Sequence, residues 1–256
     1  MFVNTIDPVI ATLGPLQIRW YGVIYAFGFI ITLAWLEWLR RKGSLNISKD
    51  DNYDLVFYLM IGVVVGARMF EVFVWNPGYY FTNPSQIIAV WRGGLSFHGG
   101  LVGAVVAAYY FSKKKNLAFW RLADILTIPA TFGLALGRIG NFINAELYGP
   151  ITNVSWCVQF PDVDGCRHPY QIYSFIKRFA VGCFLLLLFN KKHTDGFIFW
   201  SFMLLIGTGR FFIDFVRVDE LLYGLSTGQW LSAGMVFISA YVVGKHYKQD
   251  VVAFLK

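Results

Sequence analysis

Long apolar runs separated by short polar breaks dominate the chain. Seven runs are long enough to form membrane helices, at about residues 17–39, 53–75, 94–112, 121–141, 171–189, 196–216 and 229–247. A helical crossing needs about 20 apolar residues, and a segment in lipid must satisfy its own backbone hydrogen bonds. The runs are continuous rather than alternating, which favours helices over strands. The pattern predicts an all-α membrane protein with about seven transmembrane helices in one integral domain, residues 1–256.

The composition agrees with a chain that lies in lipid. Of its 256 residues, 57% are hydrophobic and 14% are charged, against about 25% charged residues in a soluble domain. The first 16 residues lack the basic start, apolar run and cleavage site of a removable signal peptide. We therefore expect the first apolar run to stay in the protein as its first transmembrane helix.

The positions of Lys and Arg predict the orientation in the membrane. More than half of them follow the first, third and fifth predicted helices or lie in the C-terminal tail: Arg40, Arg41, Lys42, Lys49, Lys113, Lys114, Lys115, Arg121, Lys191, Lys192, Lys245, Lys248 and Lys256. Such an excess marks the cytoplasmic side. The N-terminus is thus predicted outside (periplasmic) and the C-terminus in the cytoplasm. Topology, rather than nucleic-acid binding, then explains the net charge of +7.

The remaining positive residues lie within the predicted spans or on the outer side. They are Arg19, Arg68, Arg92, Arg138, Arg167, Lys177, Arg178, Arg210 and Arg217. A charge at mid-bilayer costs about 3 kcal/mol on insertion scales. Some of these residues are therefore expected to hold an anion.

The longest predicted outer connection runs from about residue 142 to 170 and contains Cys157 and Cys166. On an oxidising outer face these cysteines can form a disulfide, but their spacing leaves free thiols equally open. Cys183, inside the fifth predicted helix, is expected to act as a small apolar residue.

The outer end of the fourth predicted helix carries a dense group of polar residues. Arg138 and Asn141 are three residues apart, which places them on one helical face. A guanidinium offers a rigid fork of donors that suits phosphate, and Asn141 or Asn144 can add neutral donors beside it. Glu146 can orient the guanidinium or accept from a substrate hydroxyl. The alternative is an ordinary capped helix end, which fits Asn144 and Glu146 better than it fits an arginine.

Arg210, Asp214 and Arg217 end the sixth predicted helix with spacings that place all three on one face. Asp214 is expected to pair chiefly with Arg210, because four residues bring the two onto adjacent turns. The trio leaves one positive charge uncompensated. This favours an anion site over a self-neutralising cluster at the membrane edge.

His98 lies in the glycine-rich start of the third predicted helix. Flanking glycines let backbone or a lipid headgroup approach closely, and a histidine can transfer a proton near neutral pH. On spacing alone, a histidine that caps the helix or bonds a neighbour is the more common case. Tyr21 begins the first helix beside Trp20, where aromatic residues are typical of a membrane boundary.

Together these residues resemble those of the bacterial prolipoprotein diacylglyceryl transferases, over nearly the whole chain. The most specific match runs from Gly137 to Gly149 and follows the family pattern G-R-x-G-N-F-x-N-x-E-x-x-G. The other matching pieces are Trp20-Tyr21-Gly22, Gly66-Ala67-Arg68, Gly94-Leu95-Ser96-Phe97-His98-Gly99-Gly100, His168-Pro169, Gln171, Tyr173, Arg210, Gln229 and Ser232.

The resemblance implies an enzyme of the bacterial inner membrane, with its active site toward the outer leaflet. It would transfer the diacylglyceryl group of phosphatidylglycerol to the lipobox cysteine of a lipoprotein precursor and release glycerol phosphate, without a metal or organic cofactor. Its partners would be phosphatidylglycerol, precursor signal peptides and membrane lipid, with no nucleic acid. Carried over by the motifs, the important residues are Tyr21, His98, Arg138, Asn141, Glu146, Gly149 and Arg210.

Three positions depart from the family pattern. Ser174 stands where the family usually has Glu, so no carboxylate role transfers there. Ile206 stands where a Tyr is often found. Asp214 replaces a Glu, which keeps the charge and shortens its reach by one methylene.

For this reaction, His98 is the candidate base for the thiol, and Arg138 and Arg210 are assigned to the phosphate. Asn141 and Tyr21 would hold the headgroup. Which arginine binds the resting phosphate and which the departing one is left open. The rival interpretation, from another class, is an anion or lipid transporter that uses intramembrane arginines.

Overall fold

The computed structural model describes residues 2–14 and 16–255 and is built mainly of helices. In chain order the described α-helices are α1 Trp20–Arg41, α2 Lys49–Phe70, α3 Pro77–Thr82, α4 Phe97–Lys114, α5 Phe119–Ile143, α6 Tyr170–Phe189, α7 Phe197–Ile213, α8 Thr227–His246 and α9 Lys248–Leu255. The strands are β1 Phe2–Val3, β2 Val9–Leu13, β3 Leu16–Arg19, β4 Val158–Gln159, β5 Cys166–Arg167, β6 Leu221–Leu222 and β7 Leu225–Ser226.

Every apolar run predicted to be a helix is one. The runs correspond to α1, α2, α4, α5, α6, α7 and α8, with ends close to those predicted. The short helices α3 and α9 fall outside the prediction because neither contains an apolar run of membrane-spanning length.

Five of the described helical segments are long and apolar enough to cross a membrane. They are Trp20–Arg41, Lys49–Trp75, Phe119–Ile143, Tyr170–Phe189 and Phe197–Val216. Helices α4 and α8 fall outside this set, since glycine, serine and their basic last turns lower the mean hydropathy. The chain is thus a mainly helical, multi-pass membrane protein, whereas a total of seven crossings stays a prediction.

Side chains that bond the free N–H groups of a first turn fix where several helices begin. Ser48 and Asp51 form a capping box at α2, and Ser226 and Gln229 form another at α8. Ser96 caps α4 by accepting from the backbone N–H of Gly99. Each cap satisfies donors that have no partner within their helix.

The chain divides into two compact units, and the boundaries fall inside α1 and α5. The large unit contains the residues up to Ile31 and those from Asp124 onward, and the small unit contains Thr32–Ala123. The single domain expected from the sequence stays a prediction.

In the small unit, α2 and α4 pack backbone against backbone. A Cβ atom added to Gly62 would lie 2.5 Å from the carbonyl oxygen of Gly103 and 2.9 Å from the Cβ of Ala107. No side chain fits between the two helices at this crossing. Small residues of this kind let membrane helices approach closely.

Short strands join the helices of the large unit. β2 and β3 form an antiparallel hairpin. Because residues 16–19 pair as a strand in this hairpin, α1 begins at Trp20 and not at residue 17 as predicted. β4 pairs with β5 within the connection between α5 and α6, and β1, from the N-terminal end of the chain, pairs with β4. Cys157 and Cys166 form a disulfide in the same connection. This resolves the alternative that their spacing left open.

Candidate functional site

Polar and charged side chains gather at one end of the large unit. At this end, which we call the site end, α1, α6 and α8 begin and α5 and α7 end. Contacts between the helices establish the grouping: Tyr21 of α1 lies against Gly140 of α5, and Tyr170 of α6 bonds Asp214 after α7.

Arg138, Asn141 and Glu146 form a chain of hydrogen bonds where α5 ends. Arg138 Nη1 donates to Asn141 Oδ1 at 3.2 Å, and Asn141 Nδ2 donates to Glu146 Oε1 at 2.6 Å. Ala145 and Leu147 have positive φ and turn the chain back, so that the Glu146 N–H reaches the Asn141 carbonyl at 3.1 Å. The buried Asn141 thus orients both the guanidinium and the carboxylate.

Tyr21 completes this group from α1. A Cβ atom added to Gly140 would lie 2.7 Å from the Tyr21 ring, so only glycine leaves room for the ring at that position. The side chains of Asn141 and Glu146 lie near the Tyr21 hydroxyl, which is 3.1 Å from the Tyr25 hydroxyl. The structure therefore brings together four of the residues that the resemblance implied, namely Tyr21, Arg138, Asn141 and Glu146.

Asp214 holds Arg210 as predicted. Arg210 Nε donates to Asp214 Oδ2 at 3.3 Å, and the Tyr170 hydroxyl donates to Asp214 Oδ1 at 2.5 Å. Arg210 also packs against Gly228 at the start of α8, where an added Cβ would lie 2.8 Å from its guanidinium.

The prediction that Arg217 shares this helical face is wrong. Helix α7 ends at Ile213, a 3₁₀ turn follows, and Arg217 has an extended backbone. Its guanidinium lies 3.2 Å from Asp219 and 5.7 Å from the ring centroid of Tyr170. Partial burial raises the pKa of the Asp219 carboxyl, and the nearby Arg217 opposes this effect.

Gly149 and Asn144 differ in what surrounds them. A Cβ atom on Gly149 would lie 2.7 Å from both the Cβ of His168 and the carbonyl oxygen of Val216. Close packing therefore accounts for a glycine at this position. The Oδ1 atom of Asn144 is buried and has no hydrogen-bond partner among the described residues.

Lys177 and Arg178 of α6 also belong to the site end. Arg138 lies close enough for its charge to interact with those of Lys177, Arg178, Arg210 and Arg217. The sequence had marked both α6 residues only as positive charges in a span. Their neighbours lie on other helices, so spacing along the chain could not group them.

His98 lies in the small unit, in the first turn of α4. Its ring is exposed, and its centroid is 6.4 Å from that of Trp75, whose Nε1 donates to the capping Ser96 at 2.9 Å. The Trp75 ring and the capping residue of α4 are thus neighbours of His98, which lies in the helix that the sequence predicted for it.

Arg68 shapes the loop that leads into His98. Its guanidinium is buried and donates to the carbonyl oxygens of five residues, namely Gln86, Ile87, Ala89, Gly93 and Gly94. The Tyr80 hydroxyl accepts a further bond at 3.0 Å. Because these bonds occupy its donors, Arg68 stabilises the loop rather than holding a ligand.

Over residues 2–14 and 16–255, no group of three or more His, Cys, Asp and Glu side chains is placed to hold a metal ion.

The fold and the site end define a multi-pass helical membrane protein with a cationic cluster at the ends of its helices. A family model described as prolipoprotein diacylglyceryl transferase matches residues 8–244. Proteins named phosphatidylglycerol–prolipoprotein diacylglyceryl transferase are similar: one from Geobacter sulfurreducens is 38% identical over 93% of both chains. One from Aeromonas hydrophila subsp. hydrophila is 40% identical over 96% of this chain and 92% of the relative. This chain belongs to the prolipoprotein diacylglyceryl transferase family.

Proposed function

We infer that this chain transfers the diacylglyceryl group of phosphatidylglycerol to the cysteine thiol of a lipoprotein precursor. The observation that carries the inference is the arrangement of the site end in a chain that the family model matches over residues 8–244. Two arginines there are held by side chains: Arg138 by Asn141, and Arg210 by Asp214. Such preorganised donors suit a phosphate group.

The reaction forms a carbon–sulfur bond and breaks a carbon–oxygen bond. The thiol sulfur attacks the glyceryl carbon, and glycerol phosphate leaves with the electron pair of the broken bond. The leaving oxygen gains negative charge, so donors fixed beside it stabilise the transition state more than the substrate. We assign Arg138 and Arg210 to this oxygen and the phosphate, and Tyr21 and Asn141 to the headgroup.

A base must take the thiol proton, because the thiolate is the nucleophile. We assign this step to His98, an exposed imidazole at the start of α4. Glu146 accepts a hydrogen bond from Asn141 and is assigned an orienting role.

We further propose seven crossings, with the N-terminus and the site end on the outer side of the bacterial inner membrane. The distribution of basic residues supports this orientation. More than half of them follow helices that would end in the cytoplasm or lie in the C-terminal tail. The lipobox segment of a precursor signal peptide would then meet the site from the outer leaflet.

Mass spectrometry of a lipobox peptide tests this function. The purified protein, phosphatidylglycerol and the peptide should give a thioether product heavier by one diacylglyceryl group, and a peptide with Ser in place of the Cys should stay unmodified. Movement of anion or lipid across vesicles without a covalent product would instead favour a transporter.

A further inference from the structure

One face of α6 carries polar groups that the proposed reaction does not use. Ser174 lies one helical turn after Tyr170, and the adjacent residues Lys177 and Arg178 lie three and four positions after Ser174, about one further turn along the helix. Arg178 Nη1 donates to the Leu134 carbonyl of α5 at 2.8 Å. On the side toward α7, the side chain of Lys177 packs on Gly209. A Cβ atom added to Gly209 would lie 2.6 Å from the Cδ of Lys177.

Several buried atoms at this face lack a hydrogen-bond partner among the described residues. They include the hydroxyl of Ser174, which is fully buried, and the Nε atoms of Arg178 and Arg138. Buried polar groups in proteins are normally bonded, and each one left unmet calls for an explanation. All three are able to donate, so an acceptor is the missing partner.

The charges near this face point to an anion. Arg138 lies near the charges of Lys177, Arg178, Arg210 and Arg217. The carboxylate near Lys177, Arg178 and Arg210 is that of Asp214, in the turn that follows α7. Asp219 bonds Arg217 and Glu146 bonds Asn141, so positive charge remains in excess. Buried cations without a counter-charge are destabilising, which an anionic ligand would relieve.

We infer that Ser174, Lys177 and Arg178 form a second anion subsite, which takes a phosphate ester. These residues lie four to eight positions into α6, about 6 to 12 Å beyond Tyr170 along the helix axis. The inference rests on the proposed function, which supplies two such esters. One is the phosphodiester of phosphatidylglycerol, and the other is the monoester of the released glycerol phosphate.

A carboxylate at position 174 tests the subsite. Ser174→Glu would place a negative charge three and four residues from Lys177 and Arg178, where it can pair with both. Ser174→Gln has nearly the same size without the charge. The two variants and Arg178→Gln are prepared as full-length protein in nanodiscs, with thermal stability measured for each.

Two measurements distinguish the sources of the phosphate. Binding of glycerol phosphate by calorimetry, without turnover, reports the monoester, and the KM for phosphatidylglycerol reports the diester. Ser174→Glu should have either a dissociation constant for glycerol phosphate or a KM for phosphatidylglycerol that is about tenfold higher than that of Ser174→Gln. The reason is that an internal carboxylate competes with the ligand. Arg178→Gln should weaken the same measurement.

Equal behaviour of the Glu and Gln variants in both measurements would overturn the subsite, as would an Arg178→Gln variant unchanged in both. The wild-type protein separates this result from the proposed function. If the wild-type protein makes no thioether, but Ser174→Glu binds glycerol phosphate more weakly than Ser174→Gln does, the subsite holds and the transferase assignment fails.

Discussion

The Tyr170 hydroxyl donates a 2.5 Å hydrogen bond to Oδ1 of Asp214, whose other oxygen accepts from Arg210 at 3.3 Å. Asp214 is 3% exposed, so both bonds lie away from water. The carboxylate therefore links the start of α6 to the end of α7 and sets the direction of the Arg210 guanidinium.

Asp214→Asn should lower kcat about tenfold, because an amide cannot accept both bonds with the same strength and Arg210 loses its orientation. Simple electrostatics predicts the opposite, tighter phosphatidylglycerol binding and an equal or faster rate. Kinetics of Asp214→Asn, Arg210→Gln and the double variant decide between them. Coupled residues should give losses that do not add.

Asp219→Asn is the matched control, since Asp219 is also a carboxylate beside an arginine but bonds Arg217. It should change kcat much less than Asp214→Asn. Additive losses in the double variant would mean that Asp214 does not act through Arg210.

Arg138→Lys should insert and fold but lose about 100-fold in kcat, because an ammonium keeps the charge without the fork of donors. The variant would also lose the geometry of the bond to Asn141. Arg19→Lys is the control, since Arg19 is exposed and bonds Gln17. Near-normal turnover of Arg138→Lys, at unchanged thermal stability, would remove Arg138 from the transition state.

The sequence predicted those parts of the site that depend on local spacing. Arg138, Asn141 and Glu146 come from one stretch of chain, and their bonds follow from the end of a single helix. The Arg178 bond to Leu134 crosses between helices, and no pattern along the chain reports it. Arg217 was misplaced because the spacing argument assumed a helix that in fact ends at Ile213.

The same reasoning applies to the fold. Apolar runs predict membrane helices well, because lipid leaves the backbone few other ways to bond. The strands β1, β4 and β5 are two residues long, and so carry no alternating pattern that could be recognised. The pairing of β1 with β4 also joins residues that are far apart in the chain.

His98→Gln should slow the reaction and flatten its pH dependence between about pH 5 and 8, because glutamine cannot take a proton. Rates measured across this range at saturating phosphatidylglycerol provide the test. His246→Gln, in the last turn of α8, is the control. A slower variant whose profile keeps the wild-type shape would limit His98 to a headgroup contact.

Reporter fusions test the proposed topology without activity. A reporter after Lys256, or at the end of α4 around Lys113–Lys115, should read cytoplasmic, and one near Asp162 should read external. The reverse result would place the site end on the cytoplasmic side. A secreted lipoprotein precursor could not then meet it from the outer leaflet.

Two glycines of α5 offer a matched test of how Tyr21 is placed. A Cβ atom on Gly140 would lie 2.7 Å from the Tyr21 ring, whereas one on Gly137 would meet no atom within 4 Å. Alanine in place of either glycine favours the helix by about 1 kcal/mol, so the two variants share that gain. Gly140→Ala should nevertheless raise the KM for phosphatidylglycerol, because the ring must move and carry its hydroxyl away from Asn141. Gly137→Ala should keep the wild-type KM with equal or higher thermal stability. If both variants keep the wild-type KM, the position of the Tyr21 ring does not determine headgroup binding.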